Sequence, residues 1–333
     1  MKNLALSVLD LAPVDSHRNT NQALRYTTEL AQRAESFGYR RFWVAEHHNM
    51  PAIASSTPAV LIAHLAASTS TIRLGSGGVM LPNHAPLVVA EQFGTLASLH
   101  PGRIDLGIGR APGTDQRTAL ALRRTVDGLS AEDFPNELAD LIGMLAGDPQ
   151  RLAAVPTPEQ LPQVWLLGSS GFSAQLAGLL GLPFCFAHHF SAANTEPALE
   201  LYHHSFRPSQ WLDEPHTMIA VNVTCADTDQ RAEELARPGW ISFLRLRTGR
   251  PIPLPTVAEA AAHQFGESEL AFVEERRAGQ AIGSPATVDA QLTELVQRTG
   301  VDELMVTSQI YDIADRVRSY ELVARLTDPV AVA

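Results

Sequence analysis

The sequence predicts an α/β fold: a (β/α)8 TIM barrel with insertions after the fourth and the seventh strand. Three observations predict it. Eight short apolar runs alternate with longer amphipathic ones, and strands separated by helices pair in parallel. The 333 residues leave about 42 for each of eight units, room for a strand, a helix and two insertions in a single domain over residues 1–333. The stretch Leu9–Arg18 contains no glycine. A doubly wound dinucleotide-binding sheet, the alternative arrangement, needs Gly-x-Gly-x-x-Gly directly after its first strand.

Leu4–Leu9 reads as the first strand. Asn21–Phe37 follows as a helix with Leu24, Thr28, Ala31 and Ala34 on one face and Gly38 just past its end. Arg41–Ala45 is the second strand. Thr57 caps the helix Pro58–Ala67, and Pro58 occupies its first position. Ile72–Gly77 and Pro86–Leu99 form the third strand and helix, and Arg103–Ile108 the fourth strand. Gly109–Asp133 is polar and arginine-rich and breaks the rhythm. Long loops in compact folds are functional or disordered, so 111–133 is expected to act as a lid. Glu137–Leu145 resumes the helical pattern. Val164–Leu167 and Phe172–Leu180 are the fifth strand and its helix, Leu182–Ala187 and Glu196–Arg207 the sixth. Met218–Thr224 is the seventh strand. Arg231–Phe272 is helical but interrupted at Pro251–Pro255, the second insertion. Val288–Arg298 is a helix, Glu303–Thr307 the eighth strand and Ala314–Leu326 the last helix.

Composition removes whole classes of function. Lys2 is the sole lysine. Schiff-base chemistry needs a buried interior lysine, and a phosphate loop needs Gly-Lys-Ser/Thr, so pyridoxal enzymes, lysine aldolases and P-loop NTPases are excluded. The net charge of −11 disfavours nucleic acid and acidic membrane surfaces as partners. Cys185 and Cys225 stand apart and form no Cys-x-x-Cys pair. Met1–Asp10 carries no cleavable signal pattern and no run of 18 apolar residues exists, so a cytoplasmic globular protein is expected.

In a barrel the chemistry lies where strands end at the C-terminal face. The second strand ends in Glu46-His47-His48. Neighbours on an extended segment point to opposite sides, so the two imidazoles do not share a metal, and no His-x-His follows any strand. No metal is expected. His47 is either a hydrogen-bonded rim histidine or a neutral base facing a ligand in the mouth. Gly77-Gly78 is either a turn or a backbone surface open to a flat ring, since no Cβ intervenes. Gly168-Ser169-Ser170-Gly171-Phe172-Ser173 joins strand to helix and presents N–H groups suited to phosphate, with Arg110 from the fourth strand as a fixed charge. Ordinary helix capping is the other reading of Ser169 and Ser173. The sixth strand ends at His188-His189. Met50, Ile53, Phe93 and Phe190 either keep water from the mouth or are plain core.

Taken together, the chain resembles the bacterial-luciferase-like flavin monooxygenases, in particular their single-subunit oxidoreductase branch. The resemblance rests on Phe42-Trp43-Val44-Ala45-Glu46-His47-His48, on the run from Ile72 through Gly77-Gly78 to Pro82, and on Pro101-Gly102-Arg103-Ile104-Asp105-Leu106-Gly107-Ile108-Gly109-Arg110. Leu166-Leu167-Gly168-Ser169-Ser170, Ile282-Gly283-Ser284-Pro285 and Asp302-Glu303-Leu304-Met305-Val306 complete it, in order over nearly the whole chain. It implies a homodimeric barrel that takes reduced FMN from a separate flavin reductase. Oxygen would add to give a flavin 4a-hydroperoxide, which oxygenates a small organic substrate in a dry pocket. His47 matches the catalytic histidine. Gly77-Gly78 matches the peptide, often cis, beside the isoalloxazine ring. Arg110, Ser169, Ser170, Gly171 and Ser173 match the phosphate-binding positions. Gly109 and Ser169 stand where luciferase carries a cysteine and a glutamate, so the resemblance implies flavin binding without light emission. The rival readings are hydride transfer with a deazaflavin, a non-catalytic flavin-binding barrel, which His47 and Arg110 count against, and a metal-dependent barrel hydrolase.

Overall fold

The computed structural model of the chain describes residues 1, 4–122 and 131–327. Nine parallel strands are present: β1 Ala5–Asp10, β2 Arg41–Val44, β3 Arg73–Met80, β4 Ile104–Gly109, β5 Gln163–Gly168, β6 Phe184–Phe186, β7 Thr217–Cys225, β8 Gln280–Gly283 and β9 Glu303–Thr307. β1 to β7 pair in sequence, and β9 pairs with both β7 and β1, which closes an eight-stranded barrel. The expected architecture is the observed one.

β8 is the addition that sequence periodicity missed. It pairs with Asn222–Cys225 at the far end of β7, while β9 takes Met218–Asn222. Four residues carry too little pattern to stand out after a helix. β3 also runs to Met80, past the expected end at Gly77, with a register shift against β4 between Ser76 and Val79.

Helices surround the barrel. Those after the first three strands are α1 Thr20–Ser36, α2 Pro58–Ser68 and α3 Pro86–Leu99. Ala31 and Ala34 are buried as expected, but Ala23, Thr27 and Leu30 complete the inner face of α1, an offset that leaves Leu24 exposed and Thr28 half-buried. Thr27 explains the offset, because its hydroxyl donates to the buried Asp10 carboxylate at 2.5 Å. Thr57 precedes α2 but makes no capping hydrogen bond. α4 Gln116–Leu122 opens the first insertion, and residues 123–130 of the expected lid lie outside the described residues. α5 Phe134–Ala146, α6 Gly171–Leu180 and α7 Thr195–Ser205 follow. The second insertion folds as α8 Asp229–Arg247, α9 Val257–Ala262 and α10 Glu267–Arg277, and its proline-rich link pairs back onto the loop after β1 through Leu254, Val14 and Ser16. α11 Pro285–Thr299 and α12 Ile313–Ala324 complete the ring.

Alternation along the strands sorts the core into two shells. Val8, Phe42, Leu74, Leu106 and Leu166 face the helices. Leu9, Trp43, Trp165, Cys185, Met218, Ala220 and Met305 fill the barrel interior. The N-terminal floor is ionic. Arg41 bridges Glu303 at 2.9 Å and Asp105 at 2.8 Å, and its guanidinium lies 4.8 Å over Trp165. Trp43 Nε1 donates to Asp105 at 2.9 Å. This plug closes one end, so only the C-terminal end can receive a ligand.

Candidate active site

That end opens into a cavity of about 200 Å³ lined by residues from β1 through β7 and from β9. His47, Gly77, Gly78, Arg110, Ser169, Ser170 and Ser173 all line it. Gly171 does not; it is the first residue of α6. Phe93 is fully buried between helix and sheet, so it is core rather than rim. Phe190 lines the cavity, and Met50 and Ile53 line an apolar cleft beside it.

The two glycines form a flat stretch of wall. The Gly77–Gly78 peptide is cis. A Cβ on Gly77 would sit 2.6 Å from Leu9 Cδ1, and one on Gly78 would sit 2.9 Å from the Gly107 carbonyl oxygen. At Gly78 the obstacle is backbone of β4, so a side chain there would force the strands apart, whereas at Gly77 it is the end of the Leu9 side chain.

The phosphate-type end differs from a routine helix cap. Ser170 holds the N-cap position of α6, yet its side chain makes no capping hydrogen bond, so the first N–H groups of the helix lack that side-chain acceptor. Arg110 stacks over Phe172 at 4.2 Å and pairs with no carboxylate among the described residues. A guanidinium with no carboxylate partner beside a helix N-terminus has the chemistry to receive an anion.

Two imidazoles line the same cavity, one following β2 and one following β6. His47 Nδ1 lies 3.2 Å from the Gly113 carbonyl. A carbonyl only accepts, so Nδ1 carries the proton and Nε2 of the neutral ring keeps its lone pair. Burial pushes the His47 pKa below its ordinary value, against the Gly113 bond and the Glu46 charge. His189 repeats the arrangement: Nδ1 donates to the Ala220 carbonyl at 2.9 Å, and burial carries its pKa down to about 4. Sequence periodicity flagged the His188-His189 pair but not which ring turns inward. His188 turns away, its Nδ1 2.7 Å from the Thr195 hydroxyl.

Glu46 supports the His47 segment from behind. Its carboxylate accepts from His84 at 2.8 Å, His48 at 2.9 Å and the Met80 N–H at 3.1 Å. Burial opposes its charge, but these bonds outweigh burial and hold its pKa below the usual value. It thereby ties the end of β3 to the segment that carries His47. The remaining surface is apolar, from Leu9, Met80, Cys185, Ala220 and Met305. The Cys185 thiol is fully buried and its pKa is pushed up, so it is no nucleophile.

The comparisons with known proteins agree with this geometry. Residues 4–303 match the family described as luciferase-like monooxygenase. A luciferase-like monooxygenase of Escherichia coli K12 is 46% identical over 323 residues, covering 96% of each chain. The N-acetyl-S-alkylcysteine monooxygenase of Bacillus subtilis is 33% identical over 338 residues, 99% of each chain. The solved structure of apo-MsnO8 is 39% identical and superposes with a TM-score of 0.91 over 97% of both chains. A match spanning nearly the whole chain, on a closed parallel barrel with its cavity at the expected rim, means that the chain belongs to the luciferase-like monooxygenase family.

Proposed function

We propose that the protein is an FMN-dependent monooxygenase that takes reduced FMN from a separate reductase and oxygenates a small organic substrate. One observation carries the reading: an anion receptor, a flat glycine wall and a neutral imidazole line a single cavity. FMN has a phosphate, a flat ring and a reacting centre, and each has a matching surface. Gly77 and Gly78 line the cavity with backbone alone, which suits the close approach of a ring. Bound reduced flavin supplies the electrons that activate O2. Arg110, Ser169, Ser170 and Ser173 would hold the phosphate, with Gly171 contributing through the helix start. Gly77 and Gly78 would seat the ring. His47 would accept a proton through Nε2 or donate one after protonation. The apolar wall excludes water, which strengthens every polar interaction inside.

The substrate named for one relative is an N-acetyl-S-alkylcysteine, so thioethers of that type are the first to offer this chain.

The test is anaerobic loading with photoreduced FMN, rapid mixing with oxygenated buffer and absorbance recording. A species absorbing in the near ultraviolet that outlives the reoxidation of free reduced FMN is expected. Reoxidation at the rate of free flavin, together with binding of a deazaflavin in its place, would move the assignment to hydride transfer.

A further inference from the structure

We propose that His189 sets substrate specificity: its Nε2 accepts a hydrogen bond from an N–H or O–H donor on a neutral, otherwise apolar substrate. The other polar side chains of the cavity wall have roles in the proposed function. Arg110 and the serines are assigned to the phosphate, and His47 to the reacting centre. His189 is the polar side chain left over. The wall contributed by β1, β6, β7 and β9 is otherwise apolar, from Leu9, Leu11, Cys185, Phe190, Ala220 and Met305.

The fold holds this ring in one orientation. β6 and β8 lie in line on the same edge of β7, β6 against Thr217–Ile219 and β8 against Asn222–Cys225. Ala220 falls in the step between them, where no strand pairs on that edge. Its carbonyl instead accepts from the His189 backbone N–H and from ring Nδ1, each at 2.9 Å. Arg276 Nη1 donates to the His189 carbonyl at 3.3 Å. Phe190 packs against the imidazole with centroids 4.3 Å apart. Backbone and ring are thus fixed together, with the ring on the cavity side and His188 turned away.

An Nδ1 that donates leaves Nε2 of the neutral ring with a lone pair and no proton. Nε2 has no partner among the described residues, and the ring lines the cavity. Burial, Arg276 and the neighbouring histidines all disfavour a proton on this ring, against the Ala220 bond. His47 instead feels the Glu46 charge, which favours its protonation. The two imidazoles therefore divide the chemistry: His47 exchanges a proton, and His189 only accepts a hydrogen bond. An acceptor among apolar groups costs free energy while it lacks a donor. A ligand that supplies the donor is favoured over a molecule of the same shape that lacks it. A carboxylate in the same place would meet a lone pair instead of a proton.

This inference rests on the proposed function for the identity of the cavity as a substrate site, but its test reads binding. Full-length protein with nitrogen-15-labelled histidine is titrated with phenol and with fluorobenzene, and the ring nitrogens are followed by NMR. The two probes have nearly the same shape, fluorobenzene has no donor, and a cavity of about 200 Å³ admits a single ring. His189→Phe identifies the His189 signals by their loss. The free protein is expected to show a protonated Nδ1 and an unprotonated Nε2, and phenol but not fluorobenzene should shift Nε2. Phenol should bind His189→Phe about 5-fold more weakly than the unmutated chain, the usual net worth of one hydrogen bond. Fluorobenzene should bind both equally. His189→Gln, whose amide oxygen accepts, should recover part of the loss, and FMN affinity should be unchanged in both variants. A proton on Nε2, an Nε2 signal that phenol leaves in place, or equal losses for the two probes overturns the proposal. So does a loss of FMN affinity, which would set the ring against the flavin. Failure of the flavin test with the phenol response intact would overturn the flavin reading and leave the acceptor standing.

Discussion

At the scale of single residues the site divides into holding and reacting parts, and substitution should separate them. Arg110→Ala should weaken FMN binding by about 1.5–3 kcal/mol, the range for hydrogen bonds to charged groups, measured by fluorescence titration. Unchanged affinity would remove Arg110 from the phosphate site. His47→Ala should leave FMN affinity within about twofold and lower kcat by ~100-fold or more, the usual worth of acid–base catalysis. The pH profile gives an independent check. The His47 pKa lies below 6.5, so Nε2 stays unprotonated as pH falls through 6.5, and kcat/KM should decline only in more acid solution. His47→Ala should abolish that limb. Much of this is legible in the sequence, because His47, Arg110, Ser169, Ser170 and Ser173 come after strands, Gly77 and Gly78 lie near the end of β3, and strand ends converge in a barrel. The inward turn of His189 is not, because which of two adjacent histidines faces the cavity depends on a bond to the Ala220 carbonyl.

At the scale of elements, the strands were read from apolar runs, while side-chain chemistry set the departures. The inner face of α1 keeps the expected Ala31 and Ala34 but takes Thr27 in place of Leu24 and Thr28, because Thr27 is a buried polar residue that serves Asp10. Asp10 also pairs with Arg316 of α12, so β1, α1 and α12 meet at one carboxylate. The floor of the barrel follows the same logic with Arg41, Glu303 and Asp105. No periodicity announces a charge inside a barrel. Its consequence appears in acid. Burial opposes the Glu303 charge, but Arg41 outweighs burial and brings its pKa to about 2, below the ordinary 4.5. A carboxylate depressed in the folded state adds stability that is fully present above 4.5 and is lost as pH falls from 4.5 through 2. The stake is on the order of 3 kcal/mol. Urea midpoints measured across that window should drop steeply, and Glu303→Gln should flatten the slope while costing about 1.5–3 kcal/mol at neutral pH, the range for lost hydrogen bonds to a charged group, because Arg41 keeps Asp105 as a partner. An unchanged slope in Glu303→Gln would assign the acid sensitivity to other carboxylates.

At the scale of the whole molecule, the outer surface bears on assembly. Among the described residues no helix is long and apolar enough to cross a membrane, so an apolar outer face needs another account. α2 contains no charged residue at all, and α3 contains only Glu91. Their outward positions include Val60 at 69% exposure and Val88 at 47%. A surface helix of a monomer carries charge on its solvent side, whereas these two expose Val60, Val88 and Leu99 among uncharged polar residues, a face suited to an interface. We therefore expect a homodimer in which α2 and α3 of two copies pack together, an isologous contact in which each patch meets its own equivalent. Light scattering after size-exclusion chromatography should give twice the chain mass of 36.0 kDa. Val60→Asp combined with Val88→Glu should give the monomer mass, because each change places a charge in the dimer contact twice. The double variant should keep the barrel's circular dichroism, since both side chains point away from the core. A wild-type monomer at micromolar concentration would assign these residues to another partner, and a dimer that survives both charges would place the interface on a different face.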